Sequence, residues 1–274
     1  MIFIYRNWER FCKQLQEQGI LSIPACEVSS DCGRYLVLKH DIENTVPRAY
    51  RLAQIEHKYG HRGSYYAHAY LLDDPENVRL LRQMQEMGHE ISYHHDVMDS
   101  SKGDLDRALE EFERNRARFE ALGFPIQTVC QHGNPIVERV GYTSNRDFFR
   151  SERVQRLYPE IADIMVDFKD KHHTDYSYYS DAGRRFQLIW DPINNDRINS
   201  DDKNIPYEDL DALRPALDRR AIVSTHPHRW TSSAAAYLVK EKAFKLIKAT
   251  AKALAKIPVF KKLMSRYYYL AKRI

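Results

Sequence analysis

Cysteine is scarce in this chain. There are four among 274 residues, and none of Cys12, Cys26, Cys32 and Cys130 forms a Cys-x-x-Cys pair. No disulfide framework can be read from them, so the thiols are expected to be reduced and the setting cytosolic rather than exported. Long apolar runs are missing as well, and nothing approaches the roughly 20 residues of a membrane span. The apolar start from Met1 to Ile4 meets Arg6, Glu9, Arg10 and Lys13 before a signal-peptide core could form. Nor is any stretch rich enough in proline or glycine to act as a linker. These absences point to a soluble, cytoplasmic protein with one main domain. Its length suits a single α/β barrel, and its 43% hydrophobic residues can bury a sizeable core.

The net charge of +4 is unevenly placed. From Lys240 to Ile274 there are eleven Lys/Arg against one acid, a local +10. The preceding 239 residues then carry 31 basic and 37 acidic side chains, a net of −6. A nucleic-acid enzyme would spread its basic residues over the body, so no nucleic-acid partner is expected. The expected organisation is a barrel domain over 1–239 followed by a basic amphipathic helical tail over 240–274. In that tail Phe244, Ile247, Ala251 and Leu254 recur at helical spacing among lysines. It either docks on the acidic body or lies against anionic lipid at the inner face of the membrane.

The body alternates strands and helices. Leu36-Val37-Leu38 is a strand, and helical spacing runs from Pro47 to Gly60. Ser64 to Ala67 is the next strand, and Asp74-Pro75 opens a helix that ends at Gly88. His89 to Tyr93 is a third strand, Asp104 to Leu122 the most regular helix, and Ile126 to Cys130 a fourth strand. Further strand-like pieces lie at 164–166, 176–179, 186–189 and 221–223, and 191–207 reads as a long ordered loop. Strands separated by such helices are the pattern of parallel βαβ units.

In a parallel barrel the C-terminal strand ends share one face, where catalytic groups collect. The four clearest strands run into His40-Asp41-Ile42-Glu43, Tyr93-His94-His95-Asp96, Gln131-His132-Gly133-Asn134 and Ser224-Thr225-His226-Pro227-His228. Imidazole and carboxylate ligands with room for water describe a catalytic site for Zn²⁺ or a similar divalent ion. On an extended strand His95 points away from His94, so His95 is expected to be structural.

In order, these motifs resemble the polysaccharide deacetylases of carbohydrate esterase family 4. More narrowly, they resemble a divergent branch associated with O-antigen and surface-polysaccharide clusters. Leu36 to Asp41 stands where that family has its first motif, a strand ending in two aspartates. Gly88-His89-Glu90-Ile91 followed by His94 matches its second, and Ile222 to His226 its last. The resemblance implies a distorted seven-stranded (β/α) barrel and a hydrolase acting on C–N bonds other than peptide bonds. Such an enzyme would remove an acyl group, N-acetyl foremost, from a nucleotide- or lipid-linked sugar or oligosaccharide. It also implies His226 as the acid that protonates the leaving amine.

Read without a gap, His40 replaces the family's base and Asp41 its metal-binding aspartate; read with a shift, Asp41 is the base and Glu43 the ligand. The metal set is therefore Asp41 or Glu43 with His94. The family's second metal histidine is replaced by Met98, and His95, Asp96, His132 or water must take its place. His132, Asp181, Arg184 and Trp230 are the expected substrate contacts; Trp230 is equally well a core residue, and Asp181 with Arg184 an ion pair around a turn. Two alternatives stand beside this reading. One is another amide hydrolysis, as in a deformylase or cyclic amidase; the other is a catalytically silent glycan-binding relative.

Overall fold

In the computed structural model, residues 3–134, 137–194, 203–217, 219–239 and 242–243 are described. The expected tail helix lies outside them, apart from 242–243.

The apolar runs become strands β1 (Leu36–Ile42), β2 (Gly63–Ala67), β3 (Glu90–His95) and β4 (Thr128–Gln131). They are followed by β5 (Ala162–Asp163), β6 (Ser177–Ser180), β7 (Gln187–Leu188), β8 (Ile205–Pro206) and β9 (Ala221–Thr225). All nine form one sheet in the order β5-β4-β3-β2-β1-β9-β6-β7-β8. The seven strands from β5 to β6 in that order are parallel, and β7 and β8 continue the sheet as antiparallel additions.

This corrects the expected closed barrel. Among the described residues no pairing joins the two ends of the sheet, which is open. At one end β5 is only two residues long, and at the other β7 and β8 occupy the free edge of β6. The strand expected at 164–166 is instead a turn. The Asp163 carboxylate accepts from the Met165 N–H at 2.7 Å, and the Asp167 carboxylate accepts from the Asp163 N–H at 2.7 Å. Side chains have taken backbone bonds that a longer strand would need.

Helices α1 (Tyr5–Glu17), α2 (Val46–Lys58), α3 (Pro75–Glu86), the short α4 (Val97–Ser100) and α5 (Leu105–Ala121) accompany the sheet. Asp74 and Asp104 cap α3 and α5 with their carboxylates, as their positions in the sequence suggest. Helix α1 was not anticipated. Its Trp8, Phe11, Cys12 and Leu15 form a buried stripe at helical spacing, packed with Leu36, Leu38 and Leu52. On α5, Phe112 and Phe119 pack against Tyr93. Each such side chain contributes about 1.5–3 kcal/mol by leaving water.

Alternation along β1 sorts its chemistry. Leu36, Leu38, His40 and Ile42 turn toward the helices, whereas Val37, Lys39 and Asp41 turn to the opposite side. Strands β1 and β2 approach closely at Gly63, where a Cβ would lie 2.6 Å from the Leu38 carbonyl oxygen.

Candidate active site

At the C-terminal strand ends lies a cleft of about 1140 Å³. Its floor carries Lys39, Asp41, Glu43, His94 and Cys130. One wall is the segment after β4, with His132, Gly133 and Asn134. The other is the antiparallel extension, where Arg185, Gln187 and Ile189 alternate toward the cleft. His226 reaches in from the end of β9.

Strand register gathers the donors. Ile42 pairs with Ala67 and Ala67 with Tyr93, so the next residues along, Glu43, His68 and His94, fall on one rung. His132 joins from β4, its N–H bonded to the His95 carbonyl at 2.7 Å. One ligand atom from each of Glu43, His68, His94 and His132 lies within 4.8 Å of all the others. Glu43 Oε2 is 3.2 Å from His132 Nε2 and 3.5 Å from His68 Nε2. These match the roughly 3.3–3.5 Å between donors in a tetrahedral shell with bonds of about 2.0–2.1 Å.

His94 Nδ1 is 2.9 Å from the Cys130 carbonyl, which can only accept, so Nδ1 holds the proton and Nε2 keeps its lone pair. Burial, with His68 and His132 nearby, holds His94 well below the ordinary imidazole range. Burial alone would raise the Glu43 carboxyl, but His132 and His68 outweigh it and keep the group ionised. The Glu43 backbone carbonyl accepts from the Tyr70 hydroxyl, which fixes this loop. Three imidazoles and a carboxylate fit a first-row divalent ion better than Mg²⁺ or Ca²⁺.

A second constellation faces this one. The buried Asp181 accepts from His226 Nδ1 at 2.6 Å, from the His226 N–H at 3.0 Å, from Thr225 Oγ1 at 2.7 Å and from the Arg229 guanidinium at 2.6 Å. Burial would raise its pKa, yet Arg229 and His226 hold it far below the usual carboxylate range. His226 Nε2 is thereby aimed toward Asp41, 3.8 Å from Oδ2. Asp41 is clamped from the other side, both its oxygens 2.6 Å from Lys39 Nζ. Burial would lower the Lys39 pKa, but Asp41 raises it well above the ordinary lysine value.

Of the expected site residues, Asp41, Glu43, His94, His132 and His226 meet in the cleft. His40 does not. It is fully buried on the helix side of β1, stacked on Tyr65 and 2.8 Å from Glu56. Trp230 is also fully buried, packed on Phe3 and Trp8 with its indole N–H bonded to Thr225, so it presents no face to a sugar. Asp181 orients His226 and does not line the cleft. Arg184 stands in a left-handed turn (φ 66°) behind the wall, while its neighbours Gly183 and Arg185 line it. His95 is structural as expected, 2.9 Å from Asp163 among Phe112, Phe148 and Phe149. His68 and Lys39 were missed. His68 obeys the same strand-end rule, one residue beyond β2, and Lys39 shares the Asp41 face by period two.

No protein-family model matches this sequence, and no curated protein matches it either. Among solved structures the chain is similar to peptidoglycan deacetylase PdaC from Bacillus subtilis. The identity is 12%, the match covers 84% of this chain and 98% of that one, and the TM-score is 0.37. A mutant of the same enzyme gives 10% identity, coverage of 81% and 99%, and a TM-score of 0.36. Among the described residues no helix is long and apolar enough to cross a membrane.

Proposed function

We propose that this chain is a metal-dependent hydrolase that removes an acyl group, N-acetyl foremost, from a sugar of a surface-polysaccharide precursor. The observation that carries the reading is one cleft lined by Glu43, His94 and His132 of a Glu–His–His–His donor set and by an aspartate-oriented histidine. Glu43, His68, His94 and His132 would hold the ion. When bound, a divalent metal lowers the pKa of a coordinated water and polarises the acyl carbonyl. Asp41 accepts the proton of the attacking water. His226 then protonates the departing amine from Nε2, its ring fixed by Asp181 through Nδ1. A cleft of about 1140 Å³ exceeds what one sugar ring fills, which favours a nucleotide- or lipid-linked sugar or an oligosaccharide over a free monosaccharide.

The test begins with metal in the purified protein. We expect about one first-row divalent ion per chain, lost in both His94→Ala and His68→Ala because too few donors remain, and kept in His40→Ala. Acetate release is then measured on N-acetylated nucleotide sugars and lipid-linked glycans, beside N-formyl sugars and cyclic amides. Full occupancy in His94→Ala refutes the site. A metal-loaded parent that acts only on the formyl or cyclic substrates replaces the proposed reaction with another amide hydrolysis.

A further inference from the structure

Two donor sets meet at His94 on the cleft floor: Glu43 with His68, His94 and His132, and Asp41 with His94 and Cys130. Their carboxylates differ in what already sits on them. Around Glu43 the partners are imidazoles, each of which has a ring nitrogen able to offer a lone pair to the same ion. Asp41 meets an ammonium instead. Lys39 Nζ lies 2.6 Å from both oxygens and 3.3 Å from Ser224 Oγ, is almost wholly buried, and stands 5.7 Å from the centre of the Tyr66 ring. A lysine ammonium has three donors and no lone pair, so it cannot become a ligand. A dication on Asp41 would have to share that carboxylate with a fixed positive charge a few ångströms away, unscreened by solvent. The geometry is set by the backbone, because residues two apart on β1 face the same way.

We infer that Lys39 is a positioning residue that keeps Asp41 out of the metal shell and holds it, opposite His226, as the proton acceptor of the reaction. The inference rests on the metal site proposed above. It resolves the two registers in which the His40-Asp41-Ile42-Glu43 segment can be read: Glu43 ligates, and Asp41 does not. It also accounts for a lysine buried at a cleft floor, where an unpaired ammonium would be costly.

Cobalt(II) tests this without turnover, because its visible spectrum reports coordination number and donor set. In the reconstituted parent, Asp41→Asn should leave the spectrum unchanged and the cobalt affinity within about tenfold, below the loss that outer contacts usually cause. Lys39→Met should alter the spectrum as the released Asp41 joins the ion. The double variant Lys39→Met/Asp41→Asn should restore the parental spectrum, and Lys39→Arg should retain it. The double variant also leaves no lone buried charge, so it folds if the site tolerates neutral side chains. Should Lys39→Met alone fail to fold, Lys39→Gln takes its place in the cycle. Loss of cobalt or a changed spectrum in Asp41→Asn overturns the inference while leaving a metal hydrolase standing. So does a neutral Lys39 variant whose spectrum superimposes on the parent. A parent that takes up no cobalt sinks the metal site itself, and the inference with it.

Discussion

Two glutamates, one on each side of the sheet, are surrounded by histidines, and only one of them opens onto the cleft. Glu56 on α2 accepts from Trp8 Nε1 at 3.0 Å and Tyr65 Oη at 2.8 Å, with His40 at 2.8 Å and His89 at 3.8 Å. It is sealed at 0% exposure. Glu43 has His132 and His68 within reach, and its side chain keeps 20% of its surface open to the cleft. Residue types alone do not separate the two. An indole N–H and a phenol O–H saturate Glu56 with groups that make poor metal ligands, and no substrate can enter. Glu43 is held by groups that can themselves ligate, beside open volume. The first arrangement is a staple between α1, α2 and the sheet; the second has the donors that the proposed metal site requires.

The sharpest way to break that contrast is through catalysis. His226→Ala should keep metal and fold while kcat falls by roughly 10²–10⁴-fold, the usual worth of one general acid. His40→Ala should leave kcat per folded molecule near the parental value. Acetate release by metal-loaded protein decides it; a comparable loss in His40→Ala would mean that the helix side of β1 takes part after all. Stability comes next. Glu56→Ala should cost about 3–5 kcal/mol, because it leaves the buried Trp8 indole N–H and Tyr65 hydroxyl without their acceptor. Glu43→Ala, measured with metal chelated, should cost less than about 1 kcal/mol, since a partly solvated group gives up little. Urea unfolding of both variants checks this, and equal costs would erase the distinction.

Much of the candidate site was legible because strand ends are a local signal. Asp41, Glu43, His94, His132 and His226 all follow apolar runs, and parallel pairing brings those ends together. The role of His40 was not legible. Every residue of β1 is buried, so the run is apolar on both faces and does not reveal which one fronts the cleft. Once Asp41 is assigned to the cleft, period two sends His40 the other way. The Asp181–His226 bond depends on β6 pairing with β9, a contact across 45 residues that no local pattern encodes. Trp230 was open to two readings because its neighbours Trp8 and Phe3 lie at the far end of the chain, on and just before a helix that was not foreseen. The open sheet escaped for a similar reason: β8 lies within a stretch that reads as a loop, and closure depends on what caps each edge.

The smallest expected effect concerns His89, which lies in the segment that looked most diagnostic and yet belongs to the staple side. Its Nδ1 accepts from the Gly63 N–H at 2.9 Å, and its Nε2 donates to the Ala53 carbonyl at 3.1 Å. A second proton has no place on Nδ1 without losing the Gly63 bond. Burial pushes its pKa down to about 4, although Glu56 nearby pulls the other way. An unfolded chain protonates this histidine near the ordinary 6.5, and the folded chain only near 4. Between those values the unfolded state binds more protons, so stability falls as pH drops through the window and is level on either side. A shift of this size amounts to about 3 kcal/mol. His89→Gln should be less stable than the parent at pH 7.5, because its packing and two hydrogen bonds are disturbed. By pH 4.5 the gap should narrow by about 2–3 kcal/mol, since only the parent has this proton to resist. Every other group common to both proteins cancels in that difference. Urea unfolding of the pair at both pH values gives the answer, and parallel pH slopes would show that His89 does not set the acid limit of the staple.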